Sequence, residues 1–170
     1  MLARKKEAII PNPGGCRLGA RPIARIIDGI TQMNAQIVYH SEDGYFHAKT
    51  EGLKGIQYTF EKNTHTGTET LIIAAVLAKG TTILENAAEE PEIDELITLL
   101  NTMGAKIIRS QKRQITIEGV TVLHGAEYSI KPDRNEIVTF AIAALITKGD
   151  VLINGAQDVN LDAFLEKLQQ

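Results

Sequence analysis

The chain's only cysteine lies in a loop rich in proline and glycine. Residues 11–21 read PNPGGCRLGAR, with Cys16 between Gly15 and Arg17. A structural cysteine normally packs among apolar side chains, whereas glycines open unusual backbone conformations and nearby guanidinium groups favour the thiolate. Cys16 is therefore a candidate acid, base or nucleophile. The alternative is an incidental surface thiol.

The bulk composition limits the class of protein. A chain of 170 residues with 44% hydrophobic and 23% charged residues fits one globular domain. Residues 1–25 hold six basic side chains and one acidic one, although the net charge is −3. This basic end is either a solvated surface or a site for a small anionic ligand. The acidic remainder of the chain and the lack of aromatic residues interleaved with the basic ones argue against nucleic acid. No apolar run resembles an export signal or a membrane span, so we expect a cytoplasmic protein.

Metal binding is not expected from the sequence. One cysteine and four histidines show no recognised zinc spacing. The histidines fit surface or hydrogen-bonded positions, with no carboxylate spaced to pair with them, and no cofactor is expected. They are His40, His47, His65 and His124.

The chain contains a repeat of about seventy residues. ITQMNAQI at 30–37 matches LNTMGAKI at 100–107, and each copy follows an apolar stripe with helical spacing. Asn34 and Gly104 would take the left-handed conformation at the helix ends. Pro22 and Pro91 would begin the helices. The stripes are Ile23, Ile26, Ile27, Ile30 and Met33 in one copy, and Ile93, Leu96, Ile97, Leu100 and Met103 in the other.

The middle repeat predicts alternating strands and helices. We expect strands at 58–60, 81–85, 105–109 and 114–118, and helices at about 67–78 and 92–103. The first helix is apolar on every face and should be buried all round. Capping boxes are predicted at 66–69 and 133–136. A strand-like segment at 52–60 recurs at 123–130.

Together these patterns predict one incomplete α/β domain built of β-α-β-α-β-β units with buried apolar helices. We divide it into a cysteine loop at 11–21, a repeat tail at 22–57, a full repeat at 58–127 and a partial repeat at 128–170. Apolar side chains of the partial repeat lack a predicted partner and suggest self-association. They are Leu161, Phe164, Leu165 and Leu168.

Three motifs carry a resemblance to a known family. PGGCRLGARP at 13–22, LAKGTTILENAAEEPEI at 77–93 and PDRNEIVTF at 132–140 resemble the enolpyruvyltransferases, and among them the UDP-N-acetylglucosamine 1-carboxyvinyltransferases. The resemblance implies an inside-out α/β barrel and transfer of the enolpyruvyl group of phosphoenolpyruvate to UDP-N-acetylglucosamine, the first committed step of peptidoglycan synthesis. It also implies that Cys16 is the catalytic general acid alkylated by fosfomycin. The related shikimate enzymes lack this cysteine.

The resemblance implies further site residues. Arg21 would hold anionic substrate groups, and Pro22, Ile23, Ala24 and Arg25 would follow it along the sugar nucleotide. Arg134 and Glu136 match a motif beside the cleft between the family's two domains. A nucleotide-contacting turn would consist of Lys62, Asn63, Thr64, His65, Thr66 and Gly67. The alternative is that Thr66 and Glu69 only cap a helix, and that Glu136 only completes its own capping box.

The chain departs from the family pattern in three ways. Ala24 and Arg25 stand where the family usually has an aspartate and an apolar residue, and the turn at 61–67 is one residue longer, so either Lys62 or Asn63 replaces the family lysine. The chain is also far shorter than the family's enzymes. We therefore expect part of a transferase that works with a missing second domain or with another copy; the alternative is a non-catalytic UDP-sugar-binding or regulatory module.

Overall fold

The computed structural model describes residues 1–12 and 23–170, except for the side chain of Asp158. It contains two compact units, Met1–Ala126 and Glu127–Gln170. The predictions at Cys16, Arg21 and Pro22 lie outside the described residues.

Most of the regular structure lies in the first unit. The second unit has two helices and a short 3₁₀ turn at Ala156–Asp158. In chain order the elements of the first unit are α1 (Leu2–Lys5), β1 (Glu7–Pro11), α2 (Ala24–Gln32), β2 (Gln36–His40), β3 (Tyr45–Lys49), β4 (Gln57–Thr59), α3 (His65–Ala75), β5 (Thr81–Glu85), α4 (Pro91–Thr102), β6 (Lys106–Gln111) and β7 (Gln114–Glu118); those of the second are α5 (Arg134–Thr147) and α6 (Asp162–Leu168).

The strands of the first unit form two sheets. One has three antiparallel strands in the order β1-β3-β2. The other has four strands in the order β4-β5-β7-β6, in which β4 and β5 are parallel and the other pairs antiparallel. A parallel pair needs a crossover connection, and α3 lies in the connection between β4 and β5.

The core of the first unit lies around α3. Leu71 and Ile72 of this helix have no exposed surface, and neither do Leu84 and Ile115 of the four-stranded sheet. Burying each such side chain contributes about 1.5–3 kcal/mol. Helix α2 packs closely on α3 at Gly29, where an added Cβ would lie 2.7 Å from a Leu71 methyl carbon.

Several sequence predictions are confirmed. The two apolar stripes correspond to α2 and α4, and Met33 and Ile93 are fully buried. Asn34 and Gly104 have φ angles of 75° and 96°, as expected after a helix. Pro91 is the first residue of α4. Strands β5 and β7 have the predicted bounds.

Two predictions about α3 are wrong. The helix begins at His65 with Thr64 as its N-cap, because Thr64 is extended and its Oγ1 accepts a hydrogen bond from the Gly67 N–H at 3.2 Å. The predicted capping box therefore starts two residues too late. The helix is also not buried all round, because Ile73 is 51% exposed.

The strand predicted at 123–130 is also wrong. Among the described residues no strand occurs after Glu118. In the middle repeat, β4 forms hydrogen bonds with the parallel strand β5. The segment that repeats β5 is 150–154, and it contains no strand either. Without a neighbour to complete the ladder, residues 123–130 have no regular secondary structure.

Candidate functional site

A cavity of about 530 Å³ opens beside the start of α2. Its wall combines the first turns of α2 with the end of β4 and the residues that follow it. Because α2 has 3.6 residues per turn, Ala24 and Asp28 share one face. The lining residues are Ala24, Arg25, Asp28, Tyr58, Thr59, Glu61 and Lys62.

Tyr58 connects the two walls of the cavity. Its hydroxyl donates a hydrogen bond to the main-chain oxygen of Arg25 at 3.1 Å, and its ring meets Phe60 edge-on at 5.1 Å. Burial raises the pKa of Tyr58 to about 12, with a further contribution from a hydrogen bond with Asp28. The phenol is therefore neutral at physiological pH and holds the first turn of α2 on β4.

The cavity contains charges of both signs. Arg25 and Lys62 supply cations, and Asp28 and Glu61 supply carboxylates. Ile23, the N-cap of α2, offers no side-chain oxygen to the first N–H groups of the helix. A helix N-terminus carries partial positive charge and suits phosphate. The arrangement can bind a ligand that has both phosphate oxygens and hydrogen-bond donors.

The turn after Lys62 is held by a buried threonine. The Thr68 hydroxyl donates to the main-chain oxygen of Thr64 at 2.7 Å and accepts from the Ala88 N–H at 3.0 Å. Thr68 and Ala88 have no exposed surface. An added Cβ at Gly67 would lie 2.5 Å from Thr64 Cγ2, so this position requires glycine. The start of α3 is thereby fixed against residues 87–88.

Other predicted residues of the turn are engaged within the protein. The side chain of Asn63 donates to the main-chain oxygen of Ala87 at 3.4 Å. His65 Nε2 lies 3.4 Å from Glu69 Oε1. The main-chain oxygen of Thr66 accepts from the Thr70 hydroxyl at 2.7 Å.

The structure brings together three of the predicted site residues. Ala24, Arg25 and Lys62 line the cavity, and Ile23 precedes them as the N-cap of α2. The lining ends at Lys62, and residues 63–67 continue from it into α3. Sequence reasoning missed four lining residues, of which Asp28 could have been found because it lies one helical turn after Ala24. The four are Asp28, Tyr58, Thr59 and Glu61.

Arg134 and Glu136 belong to the second unit, in the first turn of α5. The predicted cap of this helix is confirmed: Asp133 Oδ1 accepts a hydrogen bond from the Asn135 N–H at 2.7 Å. The role of the pair in substrate binding stays a prediction.

The expectation that no carboxylate pairs with a histidine is wrong. Asp43 Oδ2 lies 2.8 Å from His47 Nε2. This bond, followed by one from the Tyr45 main-chain N–H, holds the pKa of Asp43 below its usual range. The pair was missed because the two side chains meet across a β-turn.

The described helices contain no candidate for a membrane span: none is both long and apolar enough to cross a bilayer.

All of residues 1–170 match the family described as EPSP synthase (3-phosphoshikimate 1-carboxyvinyltransferase), so the chain belongs to this family of enolpyruvyl transferases. Within the family it is 49% identical over 170 residues to the UDP-N-acetylglucosamine 1-carboxyvinyltransferase of Acidobacterium capsulatum, covering all of this chain and 38% of that protein. It is 46% identical to the protein of the same name from Magnetococcus marinus, covering all of this chain and 40% of the relative.

Solved structures of the family are similar to the chain. The enolpyruvyl transferase NikO from Streptomyces tendae matches with a TM-score of 0.71 and 17% identity, over 84% of this chain and 34% of that one. EPSP synthase from Acinetobacter baumannii matches with a TM-score of 0.64 and 25% identity, over 85% of this chain and 32% of that one. The predicted enolpyruvyltransferase fold is confirmed. The chain spans about two-fifths of the length of its curated relatives.

Proposed function

We propose that the chain is part of an enzyme that transfers the enolpyruvyl group of phosphoenolpyruvate to UDP-N-acetylglucosamine. The observation that carries the proposal is the cavity beside α2. Three of its lining residues, Ala24, Arg25 and Lys62, occupy positions where the family resemblance predicts contacts with the sugar nucleotide. Identity of 44–49% to proteins named for this reaction supports the same conclusion.

The cavity would hold the sugar nucleotide by charge and hydrogen bonding. The guanidinium of Arg25 and the ammonium of Lys62 suit the diphosphate, together with the N-terminus of α2. The carboxylates of Asp28 and Glu61 accept hydrogen bonds, and a nucleotide offers donors in its hydroxyl and base N–H groups. Tyr58 keeps the two walls at a constant separation through its bond to Arg25.

The proposal also includes Cys16 and Arg21, whose roles are implied by the sequence resemblance to the family. The transfer forms a carbon–oxygen bond between a sugar hydroxyl and the enolpyruvyl group, and it releases the phosphate of phosphoenolpyruvate. We assign Cys16 as the general acid and Arg21 as the anion-binding residue, with Pro22 beside it. The chain would work with the part of its relatives that it does not span, as one incomplete domain in the cytoplasm. We also propose that the complete enzyme has a role in cell shape and cell division and that it binds fosfomycin.

The experiment supplies the missing part of the enzyme. The chain is combined with the remaining segment of the Acidobacterium capsulatum relative, and phosphate release is measured with phosphoenolpyruvate and UDP-N-acetylglucosamine. Cys16→Ser should lower kcat by at least about 100-fold, the contribution of a general acid. A complemented protein that turns over equally well with Cys16→Ser would contradict the assigned role.

Two lysine substitutions, one in the cavity and one outside it, test the cavity in the same assay. Lys62→Ala should raise KM for UDP-N-acetylglucosamine about tenfold, the effect of losing one charged hydrogen bond. The matched control is Lys106→Ala, which removes only an exposed ion pair with Glu118 and should leave KM within about twofold. Equal effects of the two substitutions would argue against the cavity as the nucleotide site.

The second candidate is a non-catalytic UDP-sugar-binding module. It is favoured by Ala24 and Arg25, which depart from the family pattern and line the cavity. This candidate predicts stoichiometric binding of UDP-N-acetylglucosamine that phosphoenolpyruvate does not change, without turnover in the complemented protein. Absence of any binding would exclude it.

We also propose that the chain self-associates through apolar side chains of α6, where Leu165 and Leu168 are each about half exposed. Light scattering tests this, and a monomer at high concentration would contradict it.

A further inference from the structure

The hairpin formed by β2 and β3 carries two histidines and an aspartate on one side of its tip. His40 is the last residue of β2, Asp43 lies in the turn, and His47 is the third residue of β3. One nitrogen from each imidazole and one oxygen from the carboxylate lie within 4.8 Å of one another. No other group of this kind was found among the described residues.

The backbone of the hairpin brings these residues together. His40 is paired with Tyr45 in the antiparallel register, so His47 is its diagonal neighbour on the same face of the sheet. The two imidazole rings are stacked with their centroids 4.1 Å apart. The carboxylate of Asp43 is oriented by the Tyr45 N–H, which donates to Oδ1 at 2.8 Å, leaving Oδ2 toward His47.

The hairpin tip is anchored on both sides. The Gly44 N–H donates to the His40 oxygen at 2.9 Å and closes the turn. Gly44 has a φ of 75°, which favours glycine. The Gly44 oxygen accepts from the Asn12 N–H at 3.0 Å, which connects the tip to the residue after β1. The three donor side chains therefore stand on a backbone that is fixed by neighbouring strands.

We propose that His40, Asp43 and His47 bind a divalent transition-metal ion of the zinc class. Imidazole and carboxylate donors suit Zn²⁺ and its neighbours, and hard ions such as Mg²⁺ prefer sites made of oxygen alone. Tetrahedral Zn²⁺ with bonds of about 2.0–2.1 Å separates its ligands by about 3.3 Å. The three donor atoms lie within 4.8 Å of one another, so binding requires side-chain rotation that brings them closer together. His40 and Asp43 are exposed and His47 is partly exposed, which leaves room for that rotation.

Three protein ligands leave the fourth position of a tetrahedral ion to water or to another donor. Beside the site, Ile9 and Val38 lie directly opposite His47 on the two flanking strands. The nearest basic residue along β3, Lys49, is already paired with Glu7 at 3.1 Å. The side chains directly opposite His47 are therefore apolar, and the nearest lysine on the strand has a carboxylate beside it.

The experiment is a titration of the full chain with Zn²⁺ and, separately, with Co²⁺. It uses a Cys16→Ser background, because a free thiol is itself a good zinc ligand. We expect one equivalent of Zn²⁺ to bind by calorimetry and to raise the thermal unfolding midpoint. Bound Co²⁺ should show the visible absorption typical of tetrahedral coordination, and added Zn²⁺ should displace the Co²⁺ and remove that absorption. Mg²⁺ should produce neither effect.

The variants separate this site from other histidines. His47→Ala should weaken Zn²⁺ binding by at least about tenfold and abolish the midpoint shift. His40→Ala provides a second, exposed position whose loss should not impair folding, which circular dichroism of the metal-free protein checks. His124→Ala is the matched control and should bind like the parent. Failure of the parent to bind Zn²⁺, or unchanged affinity in both His40→Ala and His47→Ala, would overturn the proposal. The result does not depend on transferase activity.

Discussion

Substituting valine at two buried threonines should change the free energy of unfolding in different ways. Thr68 in α3 and Thr82 in β5 both have no exposed surface. The Thr68 hydroxyl bonds to the Thr64 oxygen and the Ala88 N–H. The Thr82 hydroxyl has no hydrogen-bond partner among the described residues. Valine is nearly the same shape as threonine without the hydroxyl, so threonine-to-valine changes isolate the hydrogen bonds.

The structure allows the effects to be estimated. In Thr68→Val the Thr64 oxygen keeps its helical bond from the residue 68 N–H at 3.1 Å, but the buried Ala88 N–H loses its acceptor. A buried, unsatisfied donor costs about 1–3 kcal/mol, so we expect the free energy of unfolding to fall by about 2 kcal/mol. Thr82→Val removes a buried hydroxyl that lacks a partner and should be neutral or stabilising by up to about 1 kcal/mol.

Urea denaturation followed by circular dichroism measures both variants. Equal m-values would show that the change lies in stability and not in the surface exposed on unfolding. Thermal midpoints should follow, with about 2–4 °C for each kcal/mol in a chain of this size. If Thr82→Val destabilised the protein as much as Thr68→Val, the reasoning from hydrogen-bond satisfaction would be refuted.

Two further predictions concern the cavity and the close approach of backbones. Because the folded pKa of Tyr58 is about 12 and the unfolded value about 10, the phenol's contribution to stability is complete below about pH 10 and is lost as pH rises through 12. As the pH rises from about 10 to 12, the free energy of unfolding of the parent should therefore fall by up to about 2 kcal/mol more than that of Tyr58→Phe. Parallel profiles of unfolding free energy against pH would contradict this. Gly119→Ala should destabilise by about 2 kcal/mol or more, because its Cβ would lie 1.7 Å from the Ala78 oxygen, whereas Gly125→Ala, with no described atom within 4 Å, should be tolerated. Thermal unfolding compares the two alanine variants, and similar midpoints would argue against the clash.

Local features of the chain were predictable from the sequence. The repeat of helical stripes predicted α2 and α4, because the side of a helix that is buried follows from the order of apolar residues. Asn34 and Gly104 were assigned left-handed backbone from their position after the stripes, and their φ angles agree. The family was recognised from three motifs, since these residues occur in order along the chain.

Contacts between distant residues required the tertiary structure. Tyr58 and Arg25 are 33 residues apart, and only the packing of α2 beside β4 makes them walls of one cavity. The N-cap of α3 is Thr64 and not the predicted Thr66, because the cap among neighbouring threonines is the one whose backbone is extended. His40, Asp43 and His47 meet only when the hairpin closes in one register. Periodicity and backbone preference are properties of neighbouring residues, whereas hydrogen-bond partners and cavity walls come from segments that only folding brings together.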